Sequence, residues 1–201
     1  MKKYLQLLFM CFCFTSLRLN AQTSFIERST FTLEEEFRLK DQSGLFYEHT
    51  DIQYKYAVNK YFDMFTDYRL IFSSKNNSWS SQNMFLEGFN IKYPEQSWGK
   101  VNLRTRIEIT QNPSPKPDTY YLNVFPKYNT PWKWTHFKIN PFVADELFFD
   151  TLNNAYFVKN RVYGGFDYVL IQHVKGSLYY YHESSGNSQS EVAVAQIKFE
   201  F

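Results

Sequence analysis

Apolar and polar residues alternate with a period of two through most of this chain, and that pattern constrains its fold more than any other feature. The clearest stretch runs from Val101 to Ile109. Val101, Leu103, Thr105, Ile107 and Ile109 point one way, and Asn102, Arg104, Arg106 and Glu108 point the other. Residues 31–40 repeat the pattern, setting Phe31, Leu33, Phe37 and Leu39 against Thr32, Glu34, Glu36, Arg38 and Lys40, with Glu35 intruding on the apolar face. The last stretch sets Ala193, Ala195, Ile197, Phe199 and Phe201 against Gln196, Lys198 and Glu200. No helical spacing of useful length competes with it.

Turn residues divide the chain into about ten strands, near 27–40, 45–58, 61–74, 83–93, 99–111, 119–129, 136–150, 155–171, 174–183 and 190–201. Most reach the roughly 9–11 residues that a tilted strand needs to cross a bilayer. No repeat, linker or low-complexity stretch separates them, so the expectation is one domain. Ten strands in an open sheet would leave two bare edges inviting aggregation, and closing the sheet removes them. The fold class expected is therefore all-β, a single antiparallel up-and-down transmembrane barrel of about ten strands, with about eight to twelve compatible. The joins 75–81, 112–118 and 184–190 read as polar and loose, while Asn59-Lys60 and Gln172-His173 read as tight. Longer odd-numbered connections suit an even-stranded barrel with both termini periplasmic. The short links after the first and seventh strands, and the longer 129–135 segment, depart from that scheme.

Alternation alone does not separate a membrane barrel from a soluble one. Three features favour the membrane. Charged residues share one face with other polar groups, as a wet lumen allows. Aromatic residues crowd strand ends and turns, among them Trp79, Trp98, Trp132, Trp134 and Tyr179 to Tyr181, as interfacial girdles do. The chain also ends on Phe201, preceded in alternation by Phe199. With 21 Phe, 16 Tyr and 4 Trp the sequence is too rich in bulky groups for a disordered chain. Its formal net charge of +2 gives no footprint for nucleic acid. A mean hydropathy of −0.47 excludes a bundle of membrane helices.

The first residues read as an export signal. Lys2 and Lys3 precede the apolar run Tyr4 to Phe14, and Ala21 offers a small residue for cleavage before Gln22, although Leu19 is larger than usual for its place. The run is too short to span a bilayer as a helix. The domain reading is thus a signal peptide over 1–21 and a barrel over 22–201. A lipoprotein reading would acylate Cys11 or Cys13, but Met10 and Phe12 precede them where that processing wants a small residue. Both cysteines lie before the cut, so the mature chain has no disulfide, thiolate metal site or cysteine nucleophile. Removing Lys2, Lys3 and Arg18 from the 22 basic residues leaves 19 against 20 acidic ones, a nearly neutral exported protein.

One charged cluster can be placed by register. If Asn153-Asn154 forms a two-residue turn, paired positions sum to 307, so that Glu146 faces Arg161 and Phe148 faces Lys159. Arg104, Arg106 and Glu108 lie two strands away and could join the same lumen network. That network is either a constriction or binding site, or a polar plug pairing charges that would be costly alone. The plug is the favoured reading. Asp145 alternates with Glu146, so one of the two carboxylates faces lipid unless it lies near the interface or a bulge intervenes.

Motifs for chemistry are few. There is no Gly-x-Ser-x-Gly elbow, no zinc-binding His-Glu-x-x-His and no phosphate-cradling glycine loop. The four histidines, His49, His136, His173 and His182, lack ligand spacing, so no metal or cofactor is expected. The proline-bearing segment Asn112 to Asp118 reads as a stiff external loop. The sequence gives no transported solute or ligand, and ten strands leave an interior largely filled by side chains, against a general-diffusion porin. Two alternatives stand beside the membrane barrel of structural, narrow-pore or binding role. One is a hydrolase of lipid or peptide at the barrel rim, using His49 or His182 with an acid and an activated water or Ser. The other is a soluble periplasmic barrel with its aromatic face inward around an apolar ligand and Arg104, Arg106 and Glu108 facing water.

Three segments carry a resemblance: Arg104-Thr-Arg106-Ile-Glu108, Pro141-Phe-Val-Ala-Asp-Glu146-Leu-Phe, and Asn160-Arg161-Val-Tyr-Gly164. They resemble the domain of unknown function 2490 family, exported proteins of Gram-negative bacteria including many Bacteroidota. The resemblance covers most of the mature chain and is sharpest from about 100 to 183. It implies a small outer-membrane barrel, with no established activity and no catalytic residues to carry over. The final strand, with Phe199 and Phe201, resembles the aromatic-ended signal read by the barrel assembly machinery. The partners expected are therefore outer-membrane lipid and that machinery, with no nucleic acid and a monomeric state.

Overall fold

A computed structural model describes residues 28–40, 44–75, 78–112, 118–152 and 156–201. The export segment over 1–21 and the Asn153-Asn154 turn lie outside these residues. Ten strands occupy them, with no helix: β1 (Ser29–Lys40), β2 (Gly44–Asn59), β3 (Phe62–Lys75), β4 (Ser78–Lys92), β5 (Lys100–Gln111), β6 (Thr119–Asn129), β7 (Asn140–Asp150), β8 (Tyr156–Ile171), β9 (Val174–Ser185) and β10 (Ser188–Glu200). Each pairs antiparallel with its neighbour in sequence, and β1 closes on β10 to complete an up-and-down barrel. Leu33 faces Phe199 and Phe37 faces Ala195 across that closure, so β1 begins and β10 ends at one end of the barrel, called here the terminal end.

Period two decides which side of the wall each residue occupies, and the barrel uses it in an inverted sense. Ile52, Val143 and Val162 are each more than half exposed on the outer wall. Glu36, His49 and Asn123 on the inner wall are almost completely enclosed. Among the described residues, 14 buried side chains are polar or charged against 10 that are hydrophobic, the reverse of a protein that hides apolar surface from water. The soluble alternative required the opposite: Arg106 and Glu108 are buried inside and the aromatic face lies outside.

Glycine makes room for the large lumen side chains. A Cβ on inward-facing Gly88 would lie 2.2 Å from the Thr105 carbonyl oxygen and 2.8 Å from the Arg106 Cβ, so Arg106 folds across β4 only because residue 88 has no side chain. Gly165 leaves similar space for Tyr179.

The ladders differ from the sequence expectation at several ends. β4 begins at Ser78 rather than near 83, with Trp79 opposite Ser74 and Ser80 opposite Ser73. β9 and β10 run on to Ser185 and Ser188, leaving Gly186 (φ 54°) and the next residue as a tight turn. Runs of Ser, Asn and Gln read as loops, yet the backbone ladder holds whatever side chains it carries, so these hairpins stay paired past the apolar wall. β7 begins at Asn140 rather than 136, because residues 135–138 form a turn closed by reciprocal hydrogen bonds between Trp134 and Ile139 at 2.8 Å, with Thr135 (φ 62°) and Lys138 (φ 50°) left-handed. The expected asymmetry of connections therefore does not hold. Of the three longest, 93–99 and 130–139 lie at the terminal end and only 112–118 lies opposite.

The pairing around Glu146 follows the 307 register: Glu146 faces Arg161 and Phe148 faces Lys159. A register shift between Phe148 and Phe149 then moves the ladder by one, so Asp150 meets Tyr156.

Candidate functional site

The lumen network gathers around Glu146, which β7 aims inward. Its Oε1 accepts hydrogen bonds from Arg106 Nη2 (3.1 Å) and Asn123 Nδ2 (2.8 Å), and its Oε2 from Arg161 Nη1 (3.5 Å) and the Tyr163 hydroxyl. Arg106 Nε also donates to Glu108 (2.7 Å), and Arg161 Nε to Glu183 (2.6 Å), which Lys159 approaches at 3.4 Å. Lys159 Nζ and the Arg161 guanidinium lie 4.4 and 4.9 Å from the centre of the Phe148 ring, itself only 2% exposed. Five of the six candidate lumen residues thus converge: Arg106, Glu108, Glu146, Lys159 and Arg161. Arg104 does not join them. It lies over the Phe125 ring at 4.9 Å, and among the described residues no carboxylate comes within ion-pair distance.

A second network joins β1, β2 and β3 to β9 and β10. Arg38 Nε donates to Glu36 (2.6 Å), Arg69 grips Asp51 through two bonds of 2.6 Å, and Lys198 reaches Glu34 (2.7 Å). Tyr179 and Gln196 donate to Glu36 at 2.6 and 3.1 Å, and Gln196 also to Glu34 at 2.7 Å. His49 sits in the middle, 0% exposed, with its ring nitrogens 3.6–3.8 Å from Glu34, Glu36 and Asp51 and, among the described residues, without a hydrogen-bond partner. Glu34, Glu36 and His49 are close enough to hold a metal ion. However, Lys198, Arg38 and Arg69 already balance the three carboxylates, which disfavours a dication there. The enclosure of His49 also takes it out of reach of any rim substrate. This network was partly legible: alternation puts Glu34, Glu36 and Arg38 on one face and His49 with Asp51 on another, but which strands adjoin, and in what register, comes only from the closed barrel.

A cavity of about 310 Å³ lies inside the barrel, lined by the carboxylates and cations of the second network, by Lys55, Asp63, Asp67, Lys92, Asn102, Arg104 and Lys127, and, where it meets the hub, by Arg106, Glu146, Arg161 and Tyr163. Lys92, Lys127 and Lys198 lie near the last residues of their strands, and Asp63 and Asn102 near the first of theirs, all at the terminal end, so the cavity runs from that end to the hub. The other half is filled by Phe148, Leu86, Asn123 and Val192, each at most 2% exposed.

The outer wall carries a polar stripe across β7 to β10. Asp145 faces outward without any bulge at that position and accepts a 2.9 Å hydrogen bond from Asn160 Nδ2. Asn160 stands directly opposite Ser184. Ser184 Oγ lies 3.3 Å from His182 Nε2, and His182 Nδ1 lies 3.8 Å from Glu191 Oε1, on the residue directly opposite it. The sequence marked His182 as a rim candidate, but not Ser184 or Glu191. His182 and Ser184 lie two positions apart on one face, and that spacing was the available signal.

At the C-terminal end, Phe199 faces outward beside Leu33, and Phe201 exchanges two backbone hydrogen bonds with Phe31 at 3.2 and 2.9 Å.

A family model described as protein of unknown function (DUF2490) matches residues 15–192. No curated protein matches this chain. Among solved structures it is similar to the translocator domain of the autotransporter NalP from Neisseria meningitidis, at 8% identity and a TM-score of 0.48, covering 93% of this chain and 91% of that one. It is also similar to OmpF of Salmonella typhi, solved in complex with daunomycin, at 8% identity and a TM-score of 0.32, covering 86% of this chain and 97% of that one.

Proposed function

We propose, for a chain that belongs to the DUF2490 family of proteins of unknown function, that it is an integral outer-membrane barrel whose lumen is a charge-paired plug rather than a conducting pore. The observation that carries this reading is the inverted wall: apolar side chains face outward around the barrel while carboxylates and guanidinium groups are enclosed within. In water such a molecule would expose its most hydrophobic surface, whereas in lipid the outer wall is solvated by acyl chains and the backbone is satisfied by closure. Stacked rings at the terminal end, Trp98 on Tyr128 and Trp132 on Trp134, suit an interfacial girdle. In this reading export is by the N-terminal segment, Phe199 and Phe201 address the chain to the barrel assembly machinery, and the working unit is a monomer in lipid.

The test is heat-modifiability of the outer-membrane fraction on a detergent gel, followed by conductance in planar bilayers. A faster-migrating unheated band and a silent bilayer are expected. A protein confined to the soluble fraction overturns the membrane, and open channels of nanosiemens scale overturn the plug.

A second role is favoured by one observation in the cavity. Among the described residues, Arg104 and Lys55 line it without an ion-pair partner against one such carboxylate, Asp67, which leaves one positive charge in excess, while Lys92, Lys127 and Lys198 are each paired. A small oxyanion entering from the terminal end would balance that excess. Saturable binding of inorganic phosphate at constant ionic strength, lost in Arg104→Gln, is the expected result; phosphate binding that Arg104→Gln leaves unchanged removes this role.

A further inference from the structure

The polar stripe on the outer wall has no structural task that explains its composition. Polar groups on a lipid-facing wall are costly, and the ones here are the three types that acyl transfer uses. We infer that Ser184, His182 and Glu191 form a nucleophile–base–acid triad on the lipid-facing wall, with the Asn160 amide as oxyanion donor, and that this face hydrolyses acyl esters of membrane lipids. The inference rests on the membrane-embedded reading above.

The geometry supports each role. His182 and Ser184 are two residues apart on β9, so both side chains leave the same face of the strand. Ser184 Oγ is 3.3 Å from His182 Nε2, close enough to pass a proton. Glu191 approaches the opposite ring nitrogen at 3.8 Å. A carboxylate on the Nδ1 side favours the tautomer with its proton there, which leaves Nε2 as the acceptor that a hydroxyl nucleophile requires. Asn160 stands across the ladder from Ser184, a separation of about 5 Å between Cα atoms. One of its two amide hydrogens goes to Asp145, which fixes the amide, and the other remains for a developing oxyanion. The outward carboxylate at Asp145, otherwise out of place, thereby becomes a positioning residue.

Location selects the substrate. Val162 lies opposite His182, and Leu178 and Tyr180 precede it on the same outer face, all substantially exposed, so an acyl chain can lie along the wall beside the triad. His182 and Glu191 are 41% and 60% exposed and close to the β9–β10 turn, where water reaches the wall. An ester bond at the junction of headgroup and acyl chain sits at that level; a peptide or a small soluble ester has no reason to bind there.

The reaction balances on these groups. Ser184 Oγ attacks the ester carbonyl carbon as its proton moves to His182 Nε2, and the oxyanion forms towards Asn160. The carbonyl–alkoxy bond breaks, and the lysolipid leaves with the proton from His182. Water then attacks the acyl-serine through the same base, releasing a fatty acid and restoring the hydroxyl.

The test uses the full-length barrel folded in phosphatidylcholine vesicles, reading fatty-acid release, with a fluorophosphonate probe and mass mapping for the nucleophile. Wild type should release fatty acid and label at Ser184. Ser184→Ala should abolish both, and His182→Ala should lower turnover about 10²–10⁴-fold. Glu191→Gln should lower kcat with KM little changed and shift its pH profile, and Glu191→Asp should recover part of the rate. All four variants should keep the heat-dependent gel shift of the wild type. A heat-modifiable wild type that neither releases fatty acid nor labels overturns the hydrolase alone, as does release that survives Ser184→Ala. A chain with no heat shift overturns the membrane reading, and this inference with it.

Discussion

Two polar clusters in this barrel are built from similar residues and differ in almost every physical respect. The hub around Glu146 lies inside the barrel at the inner limit of the cavity, where every carboxylate meets a guanidinium, an ammonium or a hydroxyl and the Phe148 ring packs against the cations. The stripe from Asp145 to Glu191 lies on the outer wall, holds its partners at looser distances and contains no cation beyond what His182 can supply. Enclosure makes charge pairing compulsory, because an unpaired buried charge costs several kcal/mol. Partial exposure removes that requirement and leaves a hydroxyl and an imidazole where a substrate can reach them. The comparison teaches that burial, rather than residue type, separates charges that hold this fold from groups available for chemistry.

Substitutions can break or sharpen that contrast. The largest effect is expected at the hub. Glu146→Ala takes one of two carboxylates from Arg106 and from Arg161 and removes the acceptor shared by Asn123 and Tyr163, and should lower unfolding stability by about 3–5 kcal/mol, read from the denaturant midpoint in detergent or vesicles. Phe148→Ala should cost about 3–5 kcal/mol and, by removing the ring under Lys159 and Arg161, should also admit a small conductance where wild type shows none. On the wall, Val143→Arg should cost about 2–4 kcal/mol in a bilayer, which measures how deeply that face is embedded. Ser184→Ala should change stability by less than about 0.5 kcal/mol. A loss at Ser184 comparable to that at Glu146 would make the stripe structural and collapse the contrast. Smallest of all is Lys133→Gln, which removes an exposed 3.2 Å pair with Glu95 between two terminal-end loops and should move stability by at most about 0.5 kcal/mol.

Much of this architecture is readable from residue order. Alternation from Phe31 to Lys40 and from Val101 to Ile109 assigns each residue to a wall, and sums along β7 and β8 pair Glu146 with Arg161. Local pattern fails where side-chain polarity and backbone pairing part company. Ser78 to Ser81, and Ser184-Ser185 with Ser188 to Ser190, look like loops, yet ladder hydrogen bonds carry them as strand. Other features depend on contacts between distant strands. Arg104 alternates with Arg106 and shares its face, but only the closed lumen leaves it over Phe125 without a carboxylate. His182 is visible as a rim histidine, whereas its pairing with Glu191 requires the β9–β10 turn to be tight at Gly186.

The sequence by itself therefore determined the period, the strand count and the two faces, because period-two geometry is a property of the extended chain and needs no partner. It did not determine which face met the interior, how far the hairpins ran, or which charges found partners. Those were decided by closure, which enclosed one wall, made unpaired charge there costly, and brought residues from strands far apart in sequence to within hydrogen-bonding distance of Glu146.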